Sequence, residues 1–211
     1  MEVFPGLEAF FWKDFQINNC NCYLIAGSSR ILIDPGHARL VSHVRAGLTE
    51  KGFSPDDIDV VIVTHAHPDH MEAAVLEFPR ADMTMSHREY DYFRKAAGAY
   101  AEAYVPAFFL KEGEIRIGDV ALQIVSTPGH TPGSICIYWP DRKALFSGDL
   151  VFSRGVGRTD LPGGNTADLK KSIRKIAGLD LEYILPGHGE IVAGKKDIET
   201  NCRIIEQFSM F

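Results

Sequence analysis

Short apolar runs separated by amphipathic stretches set the pattern of this 211-residue chain. Phe10 to Phe15 and Cys20 to Ala26 read as strands, and Arg30 to Asp34 makes a third after a Gly-Ser-Ser turn. Leu40, Val41, Val44 and Leu48 fall at helical spacing, which predicts a helix over 38–51 that stops at Gly52. Ile58 to Val63 is almost continuously apolar and rich in Val and Ile, as a strand buried on both faces would be. A short helix over 69–78, a short strand over 83–85 and a helix from Ser86 to about Ala103 follow, with Ser86 and Glu89 spaced as a capping box. Ile115 to Ser126 folds about Gly118-Asp119 as a hairpin, and 134–139 with 143–147 makes a second around Pro140-Asp141-Arg142. Residues 153–165 hold four glycines and a proline and read as a loop. Thr166 then caps a helix to about Ala177, with a last strand over 182–185 and a last helix over 197–208. Strands interleaved with helices in two successive sets predict two packed sheets with helices on the outer faces.

Composition narrows the function classes. Hydrophobic residues make up 45% and charged residues 24%, which is ordinary for a globular domain and argues for a single domain over 1–211. The net charge of −6 gives no long-range attraction to polyphosphate, so neither nucleic acid nor an anionic membrane is an expected partner. The start of the chain lacks a signal-peptide pattern and no apolar stretch is long enough to span a bilayer, so a soluble, cytoplasmic protein is expected. Cys20, Cys22, Cys136 and Cys202 lack zinc-ribbon spacing and are expected to be reduced, buried thiols.

Five of the eight histidines share one local grammar. An apolar strand runs into a turn, and a ligand-type side chain follows at once. The segments are Val63-Thr64-His65-Ala66-His67-Pro68-Asp69-His70, Ser126-Thr127-Pro128-Gly129-His130, Phe146-Ser147-Gly148-Asp149 and Leu185-Pro186-Gly187-His188. His65 and His67, two apart on an extended backbone, point to one side. Five imidazoles and two carboxylates exceed the needs of one tetrahedral ion and suit two ions sharing a bridge. Asp149, alone between the His130 and His188 segments, is the candidate bridge, because a carboxylate has two oxygens to share. No cysteine occupies these slots, which favours zinc, iron or manganese. His37, His43 and His87 lie outside the pattern and read as capping or hydrogen-bonding residues.

The Thr64-His65-Ala66-His67-Pro68-Asp69-His70 segment, with His130, Asp149 and His188 in order, resembles the motif set of the metallo-β-lactamase superfamily. The resemblance runs from Asp34 to His188. It implies an αββα four-layer sandwich of two mixed sheets with a dinuclear site at one edge. It assigns His65, His67 and His130 to a first metal, Asp69, His70 and His188 to a second, and Asp149 to the bridge. Asp34 in Ile33-Asp34-Pro35-Gly36 matches the first motif of the family, a carboxylate placed behind the ligands; a turn-forming role is the alternative. Aspartate at 149 argues against the commonest zinc β-lactamases, and His67 against the flavodiiron branch. Phe152 to Gly164 is similar to the loop of short glyoxalase II-like proteins (hydroxyacylglutathione hydrolase-like), and persulfide dioxygenases carry a related Gly-Arg-Thr-Asp stretch. Only 23 residues follow His188, too few for the glutathione-binding helical domain of glyoxalase II.

The reading implied is a metal-dependent hydrolase of a small-molecule thioester or related ester. Two divalent ions, zinc first and iron or manganese as alternatives, would activate a bridging hydroxide, and Asp69 would ligate one ion and orient the nucleophile. A mononuclear iron persulfide dioxygenase and a non-catalytic metal-binding domain are the competing readings. Arg158 could grip a substrate carboxylate or simply pair with Asp160. Tyr90, Tyr92, Phe93 and Tyr100 could line a groove or pack the core. The sequence leaves room for a homo-oligomer.

Overall fold

The computed structural model describes residues 1–14 and 16–209. The chain divides into two compact units, residues 1–110 with 116–120 and residues 111–115 with 121–211. In the first unit β1 (Glu2–Phe4), β2 (Leu7–Phe10), β3 (Cys22–Ala26) and β4 (Arg30–Ile33) form an antiparallel meander. β5 (Val60–Ile62), β6 (Asp82–Ser86) and β7 (Phe108–Leu110) extend it in parallel. Parallel neighbours need crossover connections. Helices α1 (Ser42–Glu50), α2 (Pro68–Leu76) and α3 (His87–Ala97) lie in the three connections. Their apolar residues, among them Val44, Leu48, Met71, Ala74 and Phe93, pack with Leu24, Leu32, Val61 and Met85 of the sheet in one core cluster.

A second mixed sheet runs in the order β15-β14-β11-β10-β9-β8. Its strands are β8 (Gly113–Ile117), β9 (Val120–Ser126), β10 (Ile135–Trp139), β11 (Ala144–Gly148), β14 (Tyr183–Pro186) and β15 (Val192–Ala193), with β12 (Val151–Phe152) and β13 (Gly155–Val156) as a separate two-stranded ladder. In this sheet β11 and β14 pair in parallel, and α4 (Thr166–Ile176) lies in the connection between them. Leu169 and Ile176 of α4, with Ile198 and Ile205 of α5 (Lys195–Ser209), cluster with Cys136, Tyr138, Leu145 and Ile184. The fold is therefore α/β, with two mixed sheets flanked by helices. No helix among the described residues is long and apolar enough to cross a membrane.

Several expected boundaries move for local reasons. The strand expected over Phe10 to Phe15 ends at Phe10, and Phe15 lies outside the described residues. Trp12 instead donates its backbone N–H to Asn21 Oδ1 (3.2 Å) and its ring N–H to the Ile17 carbonyl (2.7 Å), which fixes a loop. The helix expected over 38–51 begins as a 3-10 turn, Ala38–Leu40, before α1. The long helix after Ser86 breaks at Gly98, whose φ of +57° ends α3, and 3-10 turns continue over Gly98–Tyr104. Asn165, not Thr166, caps α4: its backbone is extended and its Oδ1 accepts the Asp168 N–H (3.0 Å). The glycine-rich loop after Asp149 contains the β12–β13 ladder, too short to show as a periodic pattern. The cysteines match expectation: Cys20, Cys22 and Cys136 are buried, Cys202 is half-buried, and none forms a disulfide.

Candidate metal centre

In the first unit the ligand-type side chains gather where β4 and β5 end. Pro68 occupies the first turn of α2, where its missing N–H costs nothing, and His67 is the cap residue. Asp69 and His70 therefore enter on the first helical turn, where a carboxylate suits the positive end of the helix dipole. His65 Nε2 lies 3.1 Å from His67 Nδ1, and the His65 and His70 ring centroids are 4.1 Å apart. His70 Nε2 faces Asp69 Oδ2 at 3.9 Å.

Behind these groups sits buried Asp34, whose φ of +51° turns the chain out of β4. Its Oδ1 accepts the Thr64 N–H (2.8 Å), and its Oδ2 accepts the Thr64 hydroxyl (2.6 Å) and the His70 Nδ1–H (2.9 Å). Since the Thr64 hydroxyl gives its proton to Asp34, it accepts from His65 Nδ1 at 3.1 Å. Asp34 thus fixes both rings with the proton on Nδ1 and a lone pair on Nε2. Asp34 both turns the chain and orients the His65 and His70 rings. Complete burial, and to a lesser extent the charge of Asp34, push the Cys22 thiol well above its ordinary pKa, so Cys22 is an inert thiol.

The second unit repeats the design. His130 Nε2 lies 3.4 Å from Asp149 Oδ2, and His188 Nε2 lies 3.5 Å from Asp149 Oδ1. One carboxylate thus offers each oxygen to a different imidazole. His130 Nδ1–H donates to the Arg158 carbonyl (2.7 Å), leaving a lone pair on Nε2. Gly129, at φ +143°, lets the His130 turn press against the start of α4, where a Cβ would overlap the Leu169 backbone. Gly157 serves a similar purpose, since a Cβ there would overlap the Asp149 carbonyl oxygen.

Arg158 and several of the aromatic residues have packing or pairing partners. Arg158 pairs in a fork with Asp160 (2.8 and 2.6 Å) and holds that exposed carboxyl down at about 2. Its carbonyl oxygen accepts from His130 Nδ1. Phe93 is buried in the first core, with Tyr90 packed against the same cluster. Tyr100 meets Phe93 edge-on and its hydroxyl pairs with that of Tyr104 (2.9 Å). His37 pairs with Glu72 (3.1 Å), His43 with the Leu40 carbonyl (2.9 Å) and His87 with Asp91 (3.1 Å).

Three supporting residues escaped the sequence reading. Asn18 donates to Asp69 Oδ2 (2.7 Å) across 51 positions. Buried Glu89 accepts the N–H of Ala66, between the two histidines, at 2.8 Å. The Ser86–Glu89 spacing was visible, and Ser86 Oγ does accept the Glu89 N–H (3.1 Å), yet the Glu89 carboxylate reaches the His65–His67 loop. Gly157 was visible as one of four loop glycines, with nothing in the pattern to single it out.

The donor chemistry fits metal ions. Two ligands on a tetrahedral ion with bonds of about 2.0–2.1 Å stand about 3.3–3.4 Å apart. The imidazole pair in the first unit and both imidazole–carboxylate pairs in the second have nearly that spacing. Ring nitrogens turned away from the ligand atoms are held by a carboxylate, a hydroxyl and a carbonyl, as metal-binding histidines require.

Imidazoles and carboxylates set at strand ends of a two-sheet α/β fold define a candidate metal-binding domain. The chain belongs to the metallo-beta-lactamase superfamily, whose sequence profile matches residues 17–188. That superfamily binds divalent metals. The chain is 34% identical over 185 residues to the protein of Methanocaldococcus jannaschii named "Probable metallo-hydrolase MJ0888", covering 81% of this chain and 88% of that one. TTHA1623, crystallised in a di-iron-bound form, is 30% identical with a TM-score of 0.68 over 82% of this chain and 89% of that one. The family protein TTHA1429 from Thermus thermophilus shares the fold, with a TM-score of 0.84 and 20% identity over 99% of this chain and 81% of that one.

Proposed function

We propose that the chain is a dinuclear metal-dependent hydrolase that cleaves a thioester or related ester of a small molecule, in the manner of the short glyoxalase II-like branch. His65, His67 and His130 would hold one ion, Asp69, His70 and His188 the other, and Asp149 both, within a single functional domain. The observation that carries the reading is the Asp149 carboxylate, with one oxygen 3.4 Å from one imidazole and the other 3.5 Å from a second. The di-iron form of TTHA1623 supports a two-ion centre on this framework. Zinc is the first candidate, with iron or manganese as alternatives, because the donor set is all nitrogen and oxygen.

Bound by these residues, two divalent ions would supply a more acidic water as nucleophile and a Lewis acid for the carbonyl under attack. The chain does the rest. Asp69, steadied by Asn18, takes a hydrogen bond from the attacking water and sets its direction. Asp34 and Thr64 keep His65 and His70 in the ligand tautomer. A thiolate leaves without a strong general acid, so a thioester matches a site whose imidazoles are all committed as ligands.

Elemental analysis of the purified protein, with assays on thioesters, lactones, phosphodiesters and persulfides, tests the proposal. Two equivalents of metal and thioester cleavage without oxygen uptake are expected, with both lost on chelation and in His65→Ala and His130→Ala. One iron per chain with oxygen consumption on a persulfide overturns the hydrolase reading, and full turnover after complete chelation overturns the metal.

A further inference from the structure

Buried Asn201, near the middle of α5, lies 13 residues beyond the last motif histidine and serves no ligand role in the proposed centre. Its Oδ1 accepts the N–H of Arg154 (2.6 Å) and its Nδ2 donates to the carbonyl of Phe152 (2.9 Å). These bonds span the turn that joins β12 to β13. Arg154 sits at that turn with φ +61°, a backbone state that a non-glycine residue holds only when its surroundings impose it.

The clamped turn and its flanking residues meet the ligand-type groups of the second unit. Asp149 lies three residues before the turn. The Phe152 ring meets His188 edge-on, with centroids 5.9 Å apart. On the far side of the turn Gly157 presses on the Asp149 carbonyl, its N–H donating to Leu150 O (3.2 Å), and the Arg158 carbonyl holds His130 Nδ1. A shift of the 152–155 turn therefore moves the partners of His130 and His188 together.

We propose that Asn201 is a positioning residue for the ion-binding groups of the second unit, acting by clamping the Phe152–Gly155 turn and so fixing the Phe152 ring on His188 and the Arg158 carbonyl on His130. The inference rests on the metal reading of those groups. Through Asn201, α5 sets the geometry of the site although none of its residues is a ligand.

The test is titration of the metal-free protein with cobalt(II), read by competition with a chromophoric chelator and by the visible absorption of the bound ion. Asn201→Ala removes both bonds. Asn201→Asp keeps the acceptor for Arg154 and removes the donor to Phe152. Tyr138→Phe is the control, since it deletes a bond of the same unit, Tyr138 hydroxyl to Asp180 carbonyl (2.9 Å), away from the turn. Asn201→Ala is expected to weaken cobalt binding about 10–100-fold and change the absorption band, with Asn201→Asp intermediate and Tyr138→Phe like wild type. Wild-type affinity and spectrum in a folded Asn201→Ala protein overturn the proposal. If that variant does not fold, wild-type values in Asn201→Asp overturn it. Equal losses in Tyr138→Phe also overturn it, because they reduce the effect to general destabilisation. A wild-type chain that takes up no cobalt overturns the metal reading itself, whereas normal uptake by wild type and Asn201 variants alike overturns this proposal alone.

Discussion

Replacing Asp34 by asparagine tests the tautomer logic of the site with a change of almost no volume. The carboxylate accepts three buried donors, Thr64 N–H, Thr64 O–H and His70 Nδ1–H, at 2.6–2.9 Å. In Asp34→Asn the amide oxygen can keep the Thr64 N–H, while the amide nitrogen faces the other two as a donor. The Thr64 hydroxyl must then accept, so its proton turns toward His65 Nδ1. His70 and His65 each avoid a donor–donor clash only by moving the proton to Nε2, the atom needed for an ion. Holding the ligand tautomer against such a clash costs about 1.4–2.7 kcal/mol per ring, the 10–100-fold loss typical when a ligand's supporting partner is removed. Fold stability falls by about 1–3 kcal/mol, as three bonds to a charged acceptor give way to neutral ones. Asp34→Ala orphans all three donors and should cost about 3–6 kcal/mol, a large share of the 5–15 kcal/mol that holds a domain folded. Zinc competition against a chromophoric chelator gives the affinity, and urea denaturation of the metal-free protein gives the stability. Wild-type zinc affinity in Asp34→Asn would refute the argument that Asp34 sets the tautomers.

Gly157→Ala should lower stability by about 3 kcal/mol or more and reduce bound metal, since its Cβ must displace the Asp149 backbone; thermal denaturation and elemental analysis report both. Asn18→Ala should cut turnover by roughly 10–100-fold with ion content unchanged, because it frees the Asp69 carboxylate from its 2.7 Å partner, and steady-state kinetics on metal-loaded protein would show it. Glu89→Ala should cost about 1–3 kcal/mol in urea unfolding by leaving the Ala66 N–H without its carboxylate. Burial holds the His43 imidazole below its ordinary pKa, and no hydrogen bond reaches its Nε2 among the described residues. The unfolded chain binds a proton there that the native chain refuses, so stability should fall as pH drops below about 6.5. His43→Gln should flatten that part of the stability–pH curve, and a slope equal to wild type would show that other groups carry it.

What could be read from the sequence was whatever lies within one segment. The apolar run ending at Val63, the paired histidines after it and the Pro68 helix start are contiguous, and each constrains its own local conformation. The seven ligand-type residues were visible for the same reason, because each follows its strand closely. Asn18, Glu89 and Asn201 were not, since their partners stand 51, 23 and 47–49 positions away and their own neighbourhoods give no signal of those contacts. The β12–β13 ladder has two residues on each side, below the length at which alternation means anything. Glu89 shows the opposite error: a short-range capping pattern was real, but the side chain had a longer-range task.

The rings of His65, His70 and His130 are tethered from behind by the polypeptide, through Asp34, Thr64 and the Arg158 carbonyl, and do not depend on a cation to hold them in place. On the proposed metal reading, removing a cation would leave these three rings held in place. A scaffold of that kind takes its cargo from the surrounding supply, so the resident element is expected to change with growth medium while the polypeptide stays the same.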